Sequence, residues 1–426
     1  MYDAAVAAAL PGPATARAID ALPIPRDARV WLFAFGKAAQ PMASAAAAAL
    51  LRSLHAIVGG VVVSPEGGPP PYPTLQSLRG DHPTPGRNSF AAANAIAQIV
   101  PGRRGNDVAI VLLSGGASAL IGAPLRGMNE ADLVALYELL LRSGLDIAAT
   151  NAVRKRFSRW GAGRLALALA PAATYCLAVS DVPDDDLSVI GSGPCSPDEL
   201  RVSDVTAILE RANLLSRIPA THREYLQSVA RGAIPETPTK NHPAFAHVTA
   251  RVVGSNGAAI EGVVACAHAK GIEANVSSAR LVGEAAAAGA SIARALIEER
   301  SRGSSNRCFV LGGETTVALG GNGARPTGGG RCQELALSAA RVLHEAGDAA
   351  RGITLLAAGT DGRDGATEAA GAIVDADTWS RISAAGRDPA QALATHESHG
   401  ALAAAGALIQ RRDTGTNVGD VVIGMV

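Results

Sequence analysis

Residues 107–120, DVAIVLLSGGASAL, run from an unbroken apolar stretch through a serine–glycine turn into a helix-forming segment. Continuous apolar residues, without the alternation of a half-exposed strand, predict a strand buried on both faces, as in a parallel sheet between layers of helices. The same form recurs in RVWLFAFGKAA (29–39), TYCLAVSDVPDDD (174–186), HVTARVVGSNGAAI (247–260), NRCFVLGGETT (306–316) and GITLLAAGTDGRDG (352–365). This alternation of strands and helices predicts an α/β protein with a mostly parallel sheet.

The length of the chain suggests more than one domain. Its 426 residues, of which 48% are apolar, suit roughly two or three domains of ordinary size. Residues 214–247 are polar and contain prolines, as in SVARGAIPETPTKNHPAFAH. We therefore predict a domain break near Asn241, with one domain over residues 1–240 and a second over residues 241–426.

Charge and cysteine content argue against several classes of protein. Acidic and basic residues balance at 38 each, so the chain has no net charge to attract nucleic acid or an anionic membrane. The five cysteines are scattered without a C-x-x-C pair, which favours reduced thiols over a disulfide framework or a zinc site. The N-terminal MYDAAVAAALPGP makes a poor signal peptide, and no apolar stretch is long enough to span a bilayer. We predict a cytoplasmic protein with no nucleic-acid or membrane partner.

Glycines and small polar residues follow each predicted strand. In open α/β sheets ligands bind at the carboxyl ends of the strands, where glycine lets the backbone approach a ligand and free amides can receive phosphate oxygens. The candidate binding residues in the turn after Leu113 are Ser114, Gly115, Gly116 and Ser118. A purely structural strand-to-helix turn is the open alternative.

Lys37 follows the predicted strand of RVWLFAFGKAA and places an ammonium near the mouth of the sheet. A phosphate group is a natural partner for that charge. The alternative is a lysine that extends to solvent from the first turn of a helix.

Four acidic residues cluster after the predicted strand over residues 175–179: Asp181, Asp184, Asp185 and Asp186. Carboxylates crowded at a strand end are costly unless a cation neutralises them, and Mg²⁺ with a nucleotide phosphate is the usual cation. A solvated acidic loop or a helix cap is the alternative for Asp184 to Asp186. Asp181 lies closest to the sheet and is our candidate metal ligand.

Residues 312–340, GGETTVALGGNGARPTGGGRCQELALSAA, predict a glycine turn, a second strand, a glycine-rich loop and a helix. The candidate nucleotide-binding residues of the turn are Gly312, Gly313, Glu314 and Thr315. Arg331 stands at the start of the predicted helix, after three glycines. A guanidinium beside free helix amides would form a phosphate clamp for a transferring phosphoryl group. An arginine that only anchors the loop to a nearby carboxylate is the alternative.

Two further strand ends carry polar residues. Ser255 and Asn256 follow the strand in HVTARVVG, and Asp361 and Asp364 follow the strand in GITLLAAG. We predict that Ser255, Asn256 and Asp361 bind the cofactor, and that this second acidic strand end helps to hold a metal or a substrate hydroxyl. Asp-Gly pairs also form turns that need no function.

Common nucleotide and metal motifs do not fit. The sequence contains no G-x-x-x-x-G-K-[ST]. Its one G-x-G-x-x-A match, GAGRLA (161–166), follows the basic helix-like segment NAVRKRFSRW rather than a strand, which weakens a nicotinamide-binding interpretation. HESHG (396–400) has its second histidine one position too close for a zinc motif, so we interpret both histidines as ordinary loop or helix residues.

Taken in order, these stretches resemble the glycerate 2-kinase family whose members carry a C-terminal MOFRL domain. The stretches that carry the resemblance are FGKAA, LLSGGASAL, NAVRKRFSRWGAGRLA, SDVPDDDLSVIGSGPCSPD, VGSNGAA, GGETTVALG, GGGRCQELALSAA, AAGTDGRDGATEAAGAIVD and TGTNVGD, and they cover nearly the whole chain. The chain departs from the family pattern at Cys332 (usually Asn), Asp184 and Ala117 (usually Gly), HES at 396–398 (usually NDS) and IQRRD before TGTNV (usually Thr-Gly-Pro).

The resemblance implies ATP-dependent phosphorylation of D-glycerate at its 2-hydroxyl, giving 2-phosphoglycerate, with Mg²⁺. It implies a Rossmann-like N-terminal domain with a parallel sheet and helices on both faces, a smaller C-terminal α/β domain, and an active site in the cleft between them. The family's functional lysine, acidic residue and arginine correspond to Lys37, Asp181 and Arg331. The alternatives are an NAD(P)H-dependent hydroxypyruvate reductase, a name that many relatives carry, and a non-catalytic binder of phosphorylated ligands. A homodimer is left open.

The predicted mechanism assigns a role to each candidate. The turns at 114–118 and 312–315 would cradle nucleotide or substrate oxygens, while Lys37 and Arg331 offset charge on the γ-phosphoryl group. Clasping the glycerate carboxylate is a second role open to Arg331. Asp181 would hold Mg²⁺ or accept the proton of the 2-hydroxyl, and the sequence does not separate these two roles. We expect Arg331→Ala to fold normally and to turn over ~10³-fold more slowly.

Overall fold

The computed structural model of the chain describes residues 1–100, 102–303, 305–318 and 328–426. Within them the strands are β1 (Arg29–Phe35), β2 (Ile57–Ser64), β3 (Leu75–Arg79), β4 (Asp107–Leu113), β5 (Ala173–Val179), β6 (Val248–Gly254), β7 (Glu273–Val276), β8 (Arg307–Gly313), β9 (Thr354–Gly359), β10 (Ala369–Asp375), β11 (Leu408–Gln410) and β12 (Asp420–Met425).

In the same residues the α-helices are α1 (Tyr2–Ala8), α2 (Pro11–Asp20), α3 (Ala39–Arg52), α4 (Arg87–Ile99), α5 (Ala117–Leu120), α6 (Glu130–Leu141), α7 (Ile147–Phe157), α8 (Arg164–Leu169), α9 (Val202–Arg211), α10 (Ala220–Ala230), α11 (Asn256–Ala269), α12 (Ala285–Ser301), α13 (Arg331–Glu345), α14 (Thr378–Ala384), α15 (Pro389–Ala394) and α16 (Ser398–Ala404). Short 3₁₀ helices lie at Pro183–Asp185, Ile190–Ser192, Pro243–His247 and Gly347–Ala350. None of the described helices is both long enough and apolar enough to cross a membrane.

The chain forms two compact units. The first unit is Pro11–Val253, and the second unit is Met1–Leu10 together with Gly254–Val426. This division lies later in the chain than the predicted break at 240/241, because the proline-bearing linker is followed by β6, which joins the sheet of the first unit beside β5. The N-terminal helix α1 belongs to the second unit, where it packs on α11.

The first unit is built on a sheet with the strand order β3-β2-β1-β4-β5-β6, which is the order of doubly wound Rossmann sheets. Strands β1 to β5 pair in parallel, as the continuous apolar runs predict. Phe33 and Phe35 of β1 pack in a core with α4, while Leu32 and Ala34 are buried on the opposite face. Helices on both faces therefore explain why these strands contain no regular polar alternation.

The second unit is built on a sheet with the strand order β11-β10-β9-β12-β8-β7. Strands β7 and β8 are parallel. The other four neighbouring pairs of this sheet are antiparallel: β8 with β12, β12 with β9, β9 with β10, and β10 with β11. The general expectation of a mostly parallel sheet is therefore wrong for this unit. Its strands are still continuous apolar runs, because Val422 of β12 packs in the core with α12 and α13 while Val421 and Ile423 are buried on the opposite face. The pattern indicated two-sided burial, which does not fix strand direction.

A strand predicted after Gly313 and a helix predicted over NAVRKRFSRW have different outcomes. The second strand expected after Gly313 is not formed by the described residues: Thr316 makes a single bridge to Glu284, and residues 319 and 320 of that expected strand lie outside the described ranges. The helix of NAVRKRFSRW is present as α7, and GAGRLA lies between α7 and α8 rather than after a strand.

Candidate functional site

The switch point of the first sheet brings two glycine-bearing turns side by side. Strands β1 and β4 are parallel neighbours, and Phe35 pairs with Leu113 at their carboxyl ends. The chain goes from β1 to β2 on one side and returns to β4 on the other, so the strand order reverses between them. In doubly wound sheets this crevice is where ligands bind.

Hydrogen bonds join the two turns. The backbone N–H of Lys37 donates to the carbonyl oxygen of Gly115 at 2.9 Å, and that of Ala38 donates to Oγ of Ser114 at 3.0 Å. Gly36 has a φ of +128°, and a Cβ at that position would lie 2.1 Å from Oγ of Ser114, so only glycine fits. The hydroxyl of Ser114, a predicted ligand-binding group, is therefore engaged within the turn.

The side chains of Lys37, Asp181 and His82 gather around Gly115 and Gly116. A Cβ on Gly115 would lie 2.1 Å from Oδ2 of Asp181. A Cβ on Gly116 would lie 3.2 Å from the His82 ring and 3.5 Å from Cγ of Lys37. The structure thus brings together two of the three predicted catalytic residues, Lys37 and Asp181, and adds a histidine. We call these five residues the turn cluster.

Burial, and to a smaller extent nearby charges, shift the pKa values of two residues in the turn cluster. Asp181 is open to solvent on one side, but the atoms packed around its carboxylate raise its pKa, which its own backbone N–H and the Lys37 ammonium oppose. The pKa of His82 is lowered, first by partial loss of solvent around the ring and then by the charges of Lys37 and Arg154. Both effects favour the neutral form of the imidazole.

Some polar groups of the turn after β4 make hydrogen bonds within the protein, and others do not. The hydroxyl of Ser118 shares a hydrogen bond with that of Ser192 at 2.7 Å, and the Ser118 carbonyl accepts one from the Tyr137 hydroxyl at 3.2 Å. The backbone N–H groups of Gly115 and Gly116 make no hydrogen bond to the residues that the structure describes. Those two amides are the groups of the turn that remain able to receive a ligand oxygen.

The acidic loop supplies one carboxylate to the turn cluster. Asp186 accepts a hydrogen bond from the Ser188 N–H at 2.8 Å, which matches the local-turn alternative. Asp184 and Asp185 have φ values of +60° and +53°, a conformation in which the family's usual glycine at 184 is free of strain. Among the described residues no group of three or more His, Cys, Asp or Glu side chains could hold a metal, so Asp181 is a single carboxylate and not part of a protein cage.

Arg331 begins α13, and two carboxylates engage its guanidinium. Its Nε and Nη2 donate to Oδ2 and Oδ1 of Asp420 at 2.6 and 2.9 Å, and its Nη1 lies 2.6 Å from Oε1 of Glu314. Asp420, whose side chain is 1% exposed, stands at the start of β12, between β8 and β9. Burial lowers the pKa of Arg331, but the bonds and charges of Asp420 and Glu314 outweigh it and raise the pKa overall. This is the anchoring arrangement that we named as the alternative, and we call these three residues the arginine cluster.

A carboxylate already caps the N-terminus of α13. Asp364 accepts hydrogen bonds from the backbone N–H groups of Cys332 and Gln333 at 3.1 and 2.8 Å, and from Nε2 of Gln333 at 2.8 Å. A Cβ on Gly330 would lie 2.4 Å from Oδ1 of Asp364. These two helix amides are therefore not free for a phosphate, contrary to the clamp that we expected beside Arg331.

Two predicted cofactor-binding residues of the second unit have structural partners. Asn256 donates from Nδ2 to the carbonyl oxygens of Val418 and Asp420 at 3.0 and 2.9 Å. The hydroxyl of Ser255 caps α11 by accepting from the N–H of Ala258 at 3.4 Å. Asn256 therefore fixes the backbone that carries Asp420, and its amide nitrogen is engaged there.

The glycines at the end of β8 permit close packing. A Cβ on Gly312 would lie 1.8 Å from Oδ1 of Asn256. Gly313 has a φ of +146°, and a Cβ there would lie 2.2 Å from the carbonyl oxygen of Leu281. Protein atoms thus pack closely against the Cα of both glycines, which explains why a larger residue does not fit at either position.

A cavity of about 370 Å³ in the second unit includes Glu314, Thr315 and Arg331 in its lining. The Thr315 hydroxyl is buried and has no hydrogen-bond partner among the described residues. Glu334, also in the lining, lies 3.0 Å from Nδ1 of His396; burial raises the pKa of Glu334 and His396 opposes the rise. Thr315 therefore lines the cavity, where its role in binding a nucleotide stays a prediction, and His396 contacts a buried acid in the same cavity.

Asp361 lies at the carboxyl end of β9, where its Oδ1 accepts from the N–H of Arg363 at 3.0 Å. Burial raises its pKa, and the charge of Asp420 adds to the rise, while the Arg363 bond and the charge of Arg331 oppose it. Asp361 is therefore close enough to the arginine cluster for their charges to interact.

The comparisons with known proteins agree with this architecture. A family model described as a domain of unknown function, DUF4147, matches residues 1–227, and the model of the MOFRL family matches residues 307–420. A D-glycerate 2-kinase of Thermotoga maritima is 36% identical over 402 residues, which are 93% of this chain and 91% of that protein. The chain belongs to the glycerate 2-kinase family.

Further relatives support the same membership. A glycerate 2-kinase of Pyrococcus horikoshii is 34% identical over 401 residues, which are 93% of this chain and 87% of that protein. The crystal structure of a glycerate kinase of Thermotoga maritima matches with a TM-score of 0.86 and 34% identity, covering 99% of this chain and 96% of that one. The family and the two-domain α/β fold predicted from the sequence are confirmed. Some relatives, including one from Agrobacterium vitis, carry the name hydroxypyruvate reductase.

Sequence reasoning missed three residues that lie in these clusters or act on them. Asp420 closes the stretch TGTNVGD and precedes an apolar strand, and a lone acid at that boundary was a usable signal. Arg154 lies in a run of three cations, which resembles a solvated helix face until burial is known. His82 lies in the loop between β3 and α4, where no pattern marks it.

Proposed function

We propose that this protein is an ATP-dependent kinase that phosphorylates D-glycerate on its 2-hydroxyl, giving 2-phosphoglycerate and ADP. The observation that carries the proposal is the meeting of Lys37 and Asp181 around Gly115 and Gly116, at the carboxyl edge of a parallel sheet. The kinase names of the Thermotoga and Pyrococcus relatives support the same reaction.

Lys37 is the proposed cation of the first unit for the γ-phosphoryl group. Phosphoryl transfer depends on positioning and on neutralising charge, with little covalent help from the protein. Lys37 is exposed and makes no ion pair with the residues that the structure describes, so its ammonium can extend to a phosphate. The free amides of Gly115 and Gly116 would receive phosphate oxygens beside it.

Asp181 has two proposed roles, and the geometry is compatible with both. A raised pKa suits a group that accepts the proton of the substrate hydroxyl. A single carboxylate also suits Mg²⁺, which keeps several waters and binds through one or two carboxylates plus substrate phosphates. When bound there, the ion would supply neutralisation of phosphate charge. ATP and Mg²⁺ are therefore part of the proposal.

Arg331 stays in the proposal as a second cation for the phosphoryl group. Its bidentate bond to Asp420 holds the guanidinium in a fixed orientation, and its side chain keeps 34% of its exposure. A pre-oriented donor loses less freedom when it binds a transition state. The expected moving clamp is thereby replaced by a cation that its partners hold in place.

The proposal is tested by the product of the purified protein with D-glycerate, ATP and Mg²⁺. We expect ADP release that requires D-glycerate, and NMR of the product should show the phosphate on carbon 2. Asp181→Asn should lower kcat by about 10²- to 10⁴-fold, as removal of a general base does, while Asp185→Asn in the same loop should keep wild-type activity. Phosphate on carbon 3, or no ADP release, would contradict the proposal.

A reductase is the alternative, because relatives in the family carry that name. GAGRLA, the one match to a dinucleotide motif, lies between α7 and α8, so we expect no oxidation of NADH by the protein with hydroxypyruvate. Ligand-induced stabilisation without turnover of either substrate would instead favour the non-catalytic binder.

A further inference from the structure

Helix α7 ends with three consecutive buried cations, and their environments differ. Nζ of Lys155 forms an ion pair with Asp198 at 2.9 Å, and Nη1 of Arg156 forms one with Glu236 at 2.5 Å. Arg154 has no carboxylate partner among the described residues. One of three adjacent cations thus lacks the counter-charge that its neighbours have.

The guanidinium of Arg154 is nearly enclosed. The residue is 9% exposed, and its Nε and Nη2 are buried without a hydrogen-bond partner in the described part of the chain. Nη1 is not among these buried atoms, so it is the nitrogen that still meets solvent. The guanidinium lies over the Tyr137 ring, 4.7 Å from its centroid. A cation–π contact recovers only part of what it costs to bury an unpaired charge, so a bound anion would offset the rest of that cost.

One hydrogen bond of its stacking partner and one long-range electrostatic interaction place Arg154 near the turn cluster. Tyr137, on which it stacks, donates its hydroxyl to the carbonyl oxygen of Ser118 at 3.2 Å. The charge of Arg154 also acts on His82, whose ring lies against Gly116. Arg154 and Lys37 are therefore two cations that act on one histidine at the end of the β4 turn.

We infer that Arg154 binds an oxyanion group of a substrate beside the turn cluster, either the carboxylate of D-glycerate or a phosphate of the nucleotide. The identity of these two ligands rests on the proposed function. A bound oxyanion would give Arg154 the counter-charge that Lys155 takes from Asp198, and the charge-assisted hydrogen bond from Nη1 would hold the ligand near Lys37.

Arg154→Met tests the inference, because methionine can pack over Tyr137 without a charge. We expect the KM of one substrate to rise about 10- to 100-fold, as the loss of a charge-assisted hydrogen bond predicts, with a smaller change in kcat. A rise for D-glycerate identifies the carboxylate, and a rise for ATP identifies the phosphate. Arg154→Lys should recover part of the affinity. Wild-type KM values for both substrates in Arg154→Met would overturn the inference.

Lys155→Met, one position along the same helix, is the matched control for a structural role. It leaves Asp198 buried without its partner, so its Tm should fall. Arg154→Met removes an unpaired charge, so its Tm should stay level or rise. A fall in the Tm of Arg154→Met as large as that of Lys155→Met, with no selective change in KM, would show that Arg154 only supports the fold.

Binding without turnover separates this inference from the proposed function. An anion beside His82 should raise the pKa of its ring, which NMR can follow with D-glycerate, Mg²⁺-free ATP or inorganic phosphate. Arg154→Met should need at least 10-fold more of the effective ligand. If the wild type shows this response but phosphorylates no D-glycerate, the proposed function fails and the anion site stands. If the wild type phosphorylates D-glycerate, and Arg154→Met binds the same ligands and turns over at the same rate as the wild type, then the anion site is wrong and the proposed function stands.

Discussion

The turn cluster and the arginine cluster treat positive charge in opposite ways. In the turn cluster Lys37, like Arg154 beside it, has no ion pair with the described residues. In the arginine cluster Arg331 is bonded to Asp420 on one edge and lies against Glu314 on another. An unpaired cation keeps its charge for a ligand, at a cost in stability where it is buried as Arg154 is, whereas a paired cation such as Arg331 is fixed in place. The turn cluster therefore has positive charge available for an anion, whereas the arginine cluster holds its guanidinium in one orientation.

The largest expected effect is on turnover, at the unpaired cation of the turn cluster. Lys37→Met should lower kcat by ~10³-fold, by analogy with the loss of other cations that neutralise a transferring phosphoryl group. Its Tm should not change, because Lys37 is exposed and has no carboxylate partner to leave behind. Steady-state kinetics and thermal unfolding measure the two effects. Lys270→Met, at the exposed end of α11, is the control and should keep the wild-type kcat. A wild-type kcat in Lys37→Met itself would remove Lys37 from the mechanism.

At the paired cation, both turnover and stability should fall. The sequence alone led us to expect normal folding of Arg331→Ala, but the removal of Arg331 leaves the buried Asp420 without its partner. We expect Arg331→Met to lose about 3 kcal/mol of the free energy of unfolding, measured by urea denaturation. The double variant Arg331→Met with Asp420→Asn should recover part of that loss. If the single variant is as stable as the wild type, the two clusters do not differ in the way described.

A smaller effect should follow from moving the carboxylate of the turn cluster. In Gly115→Ala the new methyl group would overlap Asp181, so the carboxylate must shift and kcat/KM should fall by about 10-fold. Gly105→Ala is the matched control, because a Cβ there meets nothing within 4 Å. Equal activity of the two variants would mean that the position of Asp181 against Gly115 does not matter for the reaction.

The smallest effect is a change in the pKa of Asp361, which reports on the charges of the arginine cluster. The charge of Asp420 contributes to the raised pKa of Asp361, so Asp420→Asn should lower that pKa. Arg331→Met should raise it, because the arginine charge opposes the rise. Carboxyl ¹³C NMR titration of the folded variants measures both, and shifts of the opposite sign would contradict the charge arrangement.

The fold could be predicted where the local sequence determines it. Buried strands such as β4 and the turns after them follow from uninterrupted apolar residues and glycines. Strand direction in the second sheet could not be predicted this way, because two-sided burial gives parallel and antiparallel strands the same composition. The predicted break at 240/241 assigned β6 to the second domain, but β6 joins the first sheet. The reason is related, because the sheet that a strand joins depends on strands elsewhere in the chain.

The site could be predicted only in part, for the same physical reason. Lys37 and Asp181 each lie two residues after the end of a strand, so their placement at the sheet edge is local information. Whether a cation is paired depends on residues far away in the chain: Asp420 lies 89 positions from Arg331. The capping of α13 by Asp364 is equally non-local. Sequence reasoning therefore identified the cations but not which of them are neutralised.

The N-terminal helix has a consequence for the order in which the chain folds. Helix α1 packs on α11, where a Cβ on Gly262 would lie 2.5 Å from the carbonyl oxygen of Ala4, and Tyr2 donates its hydroxyl to the carbonyl of Gly359 at 2.6 Å. Strand β12, which lies between β8 and β9, is made of residues 420–425. Because α1 precedes the first unit in the chain and α11 follows it, α1 can be covered only after the first unit and α11 have been translated, and the second sheet is completed later still, with β12.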